Sequence, residues 1–286
     1  MCRAVKTKLR TIAIAAGLGT GVINIGTAFA SSEGGHELPN FITVIYHYTF
    51  GTSIGEFLHK WENIIFSFLV VGLLVFVARL ASKNPQLIPN GLQNFVELVV
   101  EELEKFIVGI LGPRGKKYVP FLGTLFLYIL VMNYLGLVPF MKAPTANLNQ
   151  TLALALCVFL YVQYTGLREN GPWGYIKHLL GSPESGMQWV LSPLMLVIHI
   201  IGELAKPMSL SLRLFGNITG EDILIFIFVG LGVGMLAFSN LPIGVPLQIP
   251  FYFLALLTGF IQALVFMLLS TIYFAMMLPH DEEGHH

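Results

Sequence analysis

Charged residues in this chain fall in clusters, separated by apolar runs of helix length. A charge at the centre of a bilayer costs roughly 2.5–3.5 kcal/mol even on the gentlest scale, so a charge-free run near 17–25 residues reads as a membrane span. Three such runs are 63–78, between Glu62 and Arg79, 118–141, between Lys117 and Lys142, and 143–167, which ends at Arg168. Pro144 and the polar group Asn147, Asn149 and Gln150 separate the last two, which reads as a membrane helical hairpin over 118–167. No Asp, Glu, Lys or Arg occurs between Asp222 and Asp281, yet Pro242, Gly244, Pro246 and Pro250 punctuate the middle. That stretch holds parts of two helices, within a long hairpin expected over 187–279.

The pattern changes over 91–111. Leu92, Phe95, Val96, Val99, Leu103, Phe106, Ile107 and Ile110 recur at helical spacing, with Glu97, Glu101 and Glu104 opposite. This predicts an amphipathic helix lying in the interface, its glutamates on a solvated face. The expected fold is therefore an all-α integral membrane protein with five membrane helices, the first over 63–81, plus one interfacial helix.

The start of the chain is a separate matter. Arg3, Lys6, Lys8 and Arg10 precede a Gly/Ala-rich apolar stretch that ends in Ala28-Phe29-Ala30, the small-x-small form of a signal peptidase site. Residues 1–30 read as a cleavable secretory signal, with an uncleaved anchor as the other reading, and 31–62 as an outer N-terminal segment. Basic residues orient the rest. Arg79, Lys83, Lys105, Arg114, Lys116 and Lys117 lie in one connection and Arg168 and Lys177 in another, whereas the intervening hairpin has only Lys142 and 240–250 has none. The two basic connections are expected to be cytoplasmic. The mature N-terminus is then outside, and the tail 280–286 inside.

Composition agrees with a membrane solvent. Of 286 residues 55% are hydrophobic, 22 are Phe, and only 11% are charged, against roughly 25% in soluble domains. The formal net charge is zero, which leaves no basic field for nucleic acid. Cys2 and Cys157 can form neither a disulfide framework nor a metal knuckle.

Against that background 192–238 is anomalous, because an apolar run of 47 residues contains His199, Glu203, Lys206, Arg213, Asn217, Glu221 and Asp222. Intramembrane ionisable residues are functional candidates by default. At 100° per residue His199, Lys206, Arg213 and Asn217 fall within about 60° of one another, with Glu203 beside them and Asp222 nearly opposite Arg213. Arg213 has no carboxylate one turn away in its own sequence. As one helix these 47 residues would extend about 70 Å, more than twice a hydrocarbon thickness of about 30 Å, so the helix must be strongly tilted or broken. The last helix carries an isolated Gln262 and a small-residue stripe, Ala255, Gly259 and Ala263. Blander roles stand beside these: a boundary position for Glu221 and Asp222, a packed neutral His199, a snorkelling Lys206, and interhelical hydrogen bonding by Gln262.

The run Glu203-Leu204-Ala205-Lys206-Pro207-Met208-Ser209-Leu210-Ser211-Leu212-Arg213-Leu214-Phe215-Gly216-Asn217, followed by Gly220-Glu221-Asp222, closely resembles the signature of the subunit a family of F-type ATP synthases. Asn84-Pro85-Gln86-Leu87-Ile88-Pro89, Pro120-Phe121-Leu122-Gly123-Thr124 and Phe260-Ile261-Gln262-Ala263-Leu264-Val265-Phe266 extend the resemblance over about 39–286. The resemblance implies an ion-translocating stator subunit of the Fo sector, non-catalytic on its own and without cofactor or metal. It also implies that the last two helices form a strongly tilted hairpin along a rotating c-ring.

Carried over by position, Arg213 matches the family's essential arginine facing the ring's ion-binding carboxylates, and Asn217 and Gln262 match polar neighbours of it. Glu221 and Asp222 occupy the acidic position of the outer half-channel. His199 lies where relatives often have an acidic group near the cytoplasmic half-channel, with Glu203 one turn on. Asn147 stands where many relatives have Asp, and Ala255 where some have His or Glu, so no charged group is expected at either place. The implied partners are the c-ring, the peripheral stalk subunit b, the F1 sector indirectly, and H⁺ or Na⁺. The implied location is the bacterial cytoplasmic membrane.

An enzyme lacks support, since His199-x-x-x-Glu203 is not His-Glu-x-x-His and the glycine-containing loop 109–117 has neither P-loop spacing nor its Ser/Thr. A stand-alone secondary transporter fits broken helices and midplane charges better, but no internal repeat is visible.

Overall fold

The computed structural model describes residues 41–42, 57–58, 60–83, 91–180, 186–237 and 246–278. The expected signal segment, the Asn84–Pro89 motif and the tail histidines lie outside the described residues. Six α-helices order the described chain: α1 Glu62–Ser82, α2 Leu92–Leu111, α3 Val119–Leu135, α4 Leu148–Leu179, α5 Gly186–Ala237 and α6 Ile249–Met277. Two 3-10 turns, Pro113–Tyr118 and Pro144–Ala146, precede α3 and α4, and the described residues include no strand. Among the described residues, five segments are long and apolar enough to cross a membrane: Glu62–Ser82, Pro113–Leu135, Leu148–Tyr175, Ser192–Gly232 and Ile249–Met277.

The chain divides into two compact units. The larger comprises Trp61–Val138, Lys142–Thr219 and Leu256–His286. Its core joins Ile107 of α2, Leu122, Phe126 and Ile129 of α3, Ala155, Val158 and Val162 of α4, Leu210, Leu214 and Ile218 of α5, and Ala263, Phe266, Met267 and Phe274 of α6. Tyr118, Phe121, Tyr161 and Phe274 pack there with centroids 4.7–6.3 Å apart, mostly edge to face. On the far side of α1, Phe68 and Phe76 are exposed, as expected of a helix whose solvent is lipid.

Helix α2 is amphipathic in fact as well as in pattern. Ile107 is fully buried and Leu103 and Val108 lean on the core, while Lys105 pairs with Glu101 at 2.9 Å and Glu102 at 3.0 Å. These carboxylates, Glu101 foremost, hold the exposed Lys105 ammonium above the ordinary lysine pKa. Gly91 and Gly112 bracket the helix at positive φ, 56° and 69°, where a side chain would be strained.

Helix α4 passes Arg168 and Glu169 and is interrupted only at Gly171, φ 67°, followed by Pro172. Charge gaps mark spans, whereas backbone chemistry ends helices: Pro172 has no amide to donate, and it disfavours helical geometry at the residue before it. Before α4, Asn147 Oδ1 accepts the Asn149 amide at 2.9 Å. Buried Thr145 donates to Asn133 Oδ1 at 2.9 Å, and Asn133 Nδ2 donates to the Gly259 carbonyl at 3.0 Å, tying α3, the turn and α6 together. Lys142 lies 3.6 Å from Glu62 in the first turn of α1, where the helix dipole favours an acid.

The smaller unit comprises Met1–Lys60, Pro139–Met141 and Gly220–Ala255. Within it Phe228 of α5 stacks on Phe251 of α6 at 3.9 Å, and the Phe41 amide donates to the carbonyl of Phe140, itself at φ 66°.

Candidate functional site

The site is built on α5 because its sequence places polar groups at intervals of a turn or two in an otherwise apolar helix. Pro207 lies inside α5 and lacks the amide that would have bonded the carbonyl of Glu203. At that level the structure assembles a polar cluster in the larger unit. Lys206 Nζ donates to Glu203 Oε1, and Gln163 Nε2 of α4 donates to Glu203 Oε2 at 2.9 Å. Tyr175 Oη, beyond the α4 break, donates to Gln163 Oε1 at 2.5 Å. Lys206 Nζ also stands 5.3 Å from the centre of the Tyr273 ring on α6. Lys206 and Glu203 keep only 18% and 14% of their side-chain exposure. Lys206 turns to a carboxylate of its own helix. A cavity of about 10 Å³, near the size of one water, adjoins Glu203, Lys206, Pro207 and Tyr273.

Two turns further on, Arg213 is exposed on the surface of the chain, and no carboxylate among the described residues pairs with it. Asn217, one turn beyond and also exposed, reaches Gln262 of α6: Asn217 Nδ2 lies 3.5 Å from Gln262 Oε1. Gln262 is buried, and its Nε2 has no hydrogen-bond partner among the described residues. Below the cluster His199 is half-buried on α5. Glu221 and Asp222, half-buried, belong to the smaller unit, where the Asp222 charge falls on the Tyr252 phenol of α6.

Of the residues singled out from sequence, the structure thus joins Asn217 to Gln262 and Glu203 to Lys206. It leaves Arg213 facing outward beside Asn217. Gln163, Tyr175 and Tyr273 carry no charge, so the charge pattern of the sequence does not mark them. A lone amide in the apolar run Val162-Gln163-Tyr164 was the available signal, of the same kind that exposed Gln262.

Among the described residues, five helices long and apolar enough to cross a membrane, one of them carrying an exposed guanidinium, define a polytopic membrane protein. A family model described as ATP synthase A chain matches residues 64–275. Among curated proteins, the chain is 52% identical to ATP synthase subunit a of Protochlamydia amoebophila over 248 residues, covering 87% of this chain and 91% of that one. It is 41% identical to ATP synthase subunit a 2 of Syntrophotalea carbinolica, covering 84% and 94% of the two chains. It is 43% identical to ATP synthase subunit a of Solidesulfovibrio magneticus, covering 77% and 85%. The chain belongs to the ATP synthase A chain family.

Proposed function

We propose that this chain, as the a subunit of an F-type ATP synthase, provides the stationary path along which ions reach and leave a rotating c-ring. ATP chemistry resides in the F1 sector, reached through the peripheral stalk and its subunit b. The observation that carries the reading is Arg213, a guanidinium exposed on an apolar helix with no carboxylate partner among the described residues. A buried or lipid-facing charge needs compensation, and a partner from another subunit supplies it. Arginine stays protonated where a lysine would not. A ring carboxylate arriving opposite Arg213 is favoured in its ionised form, so it releases its ion, passes the guanidinium, and reloads from the other side. The same charge repels a cation running directly between the two half-channels.

Asn217, exposed one turn from Arg213, stands ready as a donor beside the passing carboxylate, and the buried Gln262 backs it. In this reading Glu221 and Asp222 line the half-channel open to the outside, and His199 and Glu203 the approach from the cytoplasm. The N-terminus is outside, the C-terminus is cytoplasmic, and the energy is that of the membrane field, about 2.3 kcal/mol per charge per 100 mV. The ion is H⁺ or Na⁺ according to the ring's binding site.

Arg213→Ala tests this in inverted membrane vesicles holding equal amounts of assembled complex. Removing an intramembrane charge relieves desolvation, so insertion and assembly persist. ATP synthesis and ATP-driven ion pumping are lost. Normal coupled transport by Arg213→Ala would overturn the mechanism.

A further inference from the structure

Lys206 and Arg213 stand seven residues apart on one face of α5, about 10.5 Å along the helix. At membrane depth a passing carboxylate is drawn to any cation that lacks a counter-charge. The chain treats its two cations differently: Lys206 is paired with Glu203 and capped by the Tyr273 ring, while no described carboxylate meets Arg213. What keeps Glu203 on Lys206 comes from another helix. The Tyr175 hydroxyl donates to Gln163 Oε1 at 2.5 Å, which sets the amide so that its nitrogen faces Glu203 Oε2 at 2.9 Å. Glu203 then accepts from Lys206 on one oxygen and from Gln163 on the other, and it cannot turn away from Lys206 without losing the amide as well. Among the described residues, the charged and titratable groups around Glu203 include Lys206 and, one turn before it, His199 on its own helix, Tyr175 on α4 and Tyr273 on α6.

We propose that Gln163 and Tyr175 are positioning residues for ion transfer: they hold Glu203 against Lys206, so that Lys206 is silenced and Arg213 is the cation a ring carboxylate meets. The inference rests on the role given to Arg213 above. It makes Glu203 a fixed counter-charge rather than a carrier, and it gives the α4 break at Gly171 a use, since the segment after the break carries Tyr175.

The test uses whole ATP synthase in inverted vesicles, at equal assembled amounts, carrying Gln163→Leu, Tyr175→Phe, Gln163→Leu with Lys206→Gln, or Arg213→Ala. Freed from the amide, Glu203 leaves Lys206 partly uncompensated, and ATP-driven pumping falls about threefold or more in Gln163→Leu and less in Tyr175→Phe. Adding Lys206→Gln to Gln163→Leu removes the stray cation; assembly falls because Glu203 is left unpaired, but pumping per assembled complex returns to more than half, a repair that a purely structural defect would not show. Unchanged pumping in Gln163→Leu, or a double variant no better than the single one, overturns the proposal. Normal pumping by Arg213→Ala overturns the functional reading instead, whereas its loss beside an unaffected Gln163→Leu overturns the positioning role alone. Where Gln163→Leu fails to assemble, Tyr175→Phe with and without Lys206→Gln decides by the same criterion, because it removes only a hydroxyl.

Discussion

Two cations on one face of one helix end in opposite situations. Lys206 sits in a closed cluster, with a carboxylate of its own helix, an amide of α4 and an aromatic ring of α6 around it. Arg213, two turns on, looks outward near Asn217, and its charge is felt at Tyr273 of α6, but no carboxylate among the described residues pairs with it. The difference is one of neighbours rather than of residue type, since both carry one positive charge. It shows that an ionisable residue in a membrane protein can be either a structural fastening or an open site. What separates the two is whether a carboxylate among the described residues of the same chain stands against the cation.

The comparison can be broken most severely at Arg213. Arg213→Lys keeps a positive charge, but an ammonium can shed its proton when desolvated and lacks the planar fork of donors. ATP-driven pumping and synthesis are expected to fall to background in vesicles with normal amounts of assembled complex. Pumping retained at half the unsubstituted rate would mean that charge alone suffices there.

Glu203→Gln attacks the other cation. Removing one member of a well-buried pair costs about 3–5 kcal/mol, and somewhat less here because both side chains keep some exposure. The expected outcome is a several-fold drop in assembled complex, read by immunoblot of membranes. Equal assembly would show that Lys206 needs no fastening. Asn217→Ala is the mildest of the three. Its contact to Gln262 is long at 3.5 Å, so pumping at equal assembly should fall by no more than about threefold.

Much of the membrane architecture was legible from where charges are missing. The physical reason is that the bilayer core penalises charge so heavily that spans must be free of it, apart from sites that do something. Helix ends were less legible: α4 runs through Arg168 and Glu169, because a charged pair near an interface does not stop a helix and a Gly-Pro step does. Arg213 was conspicuous in sequence for the same reason as the spans, being a charge with no local mate in an apolar run.

What the sequence determined by itself, then, was the number of apolar helices, the amphipathic character of α2, and the identity of the polar groups that had to be explained. Local periodicity and the cost of desolvation suffice for these, since each depends on residues close together in the chain. Only the tertiary structure decided the pairings. Gln163 meets Glu203 across 40 residues and Asn217 meets Gln262 across 45, and a one-turn slip of α4 or α6 would hand either donor to a different partner. Helix packing sets that register through the whole buried surface, through Phe266, Phe274, Leu214 and Val158 as much as through the polar groups. No local pattern around Lys206 or Arg213 could therefore reveal which of them would be enclosed and which left open.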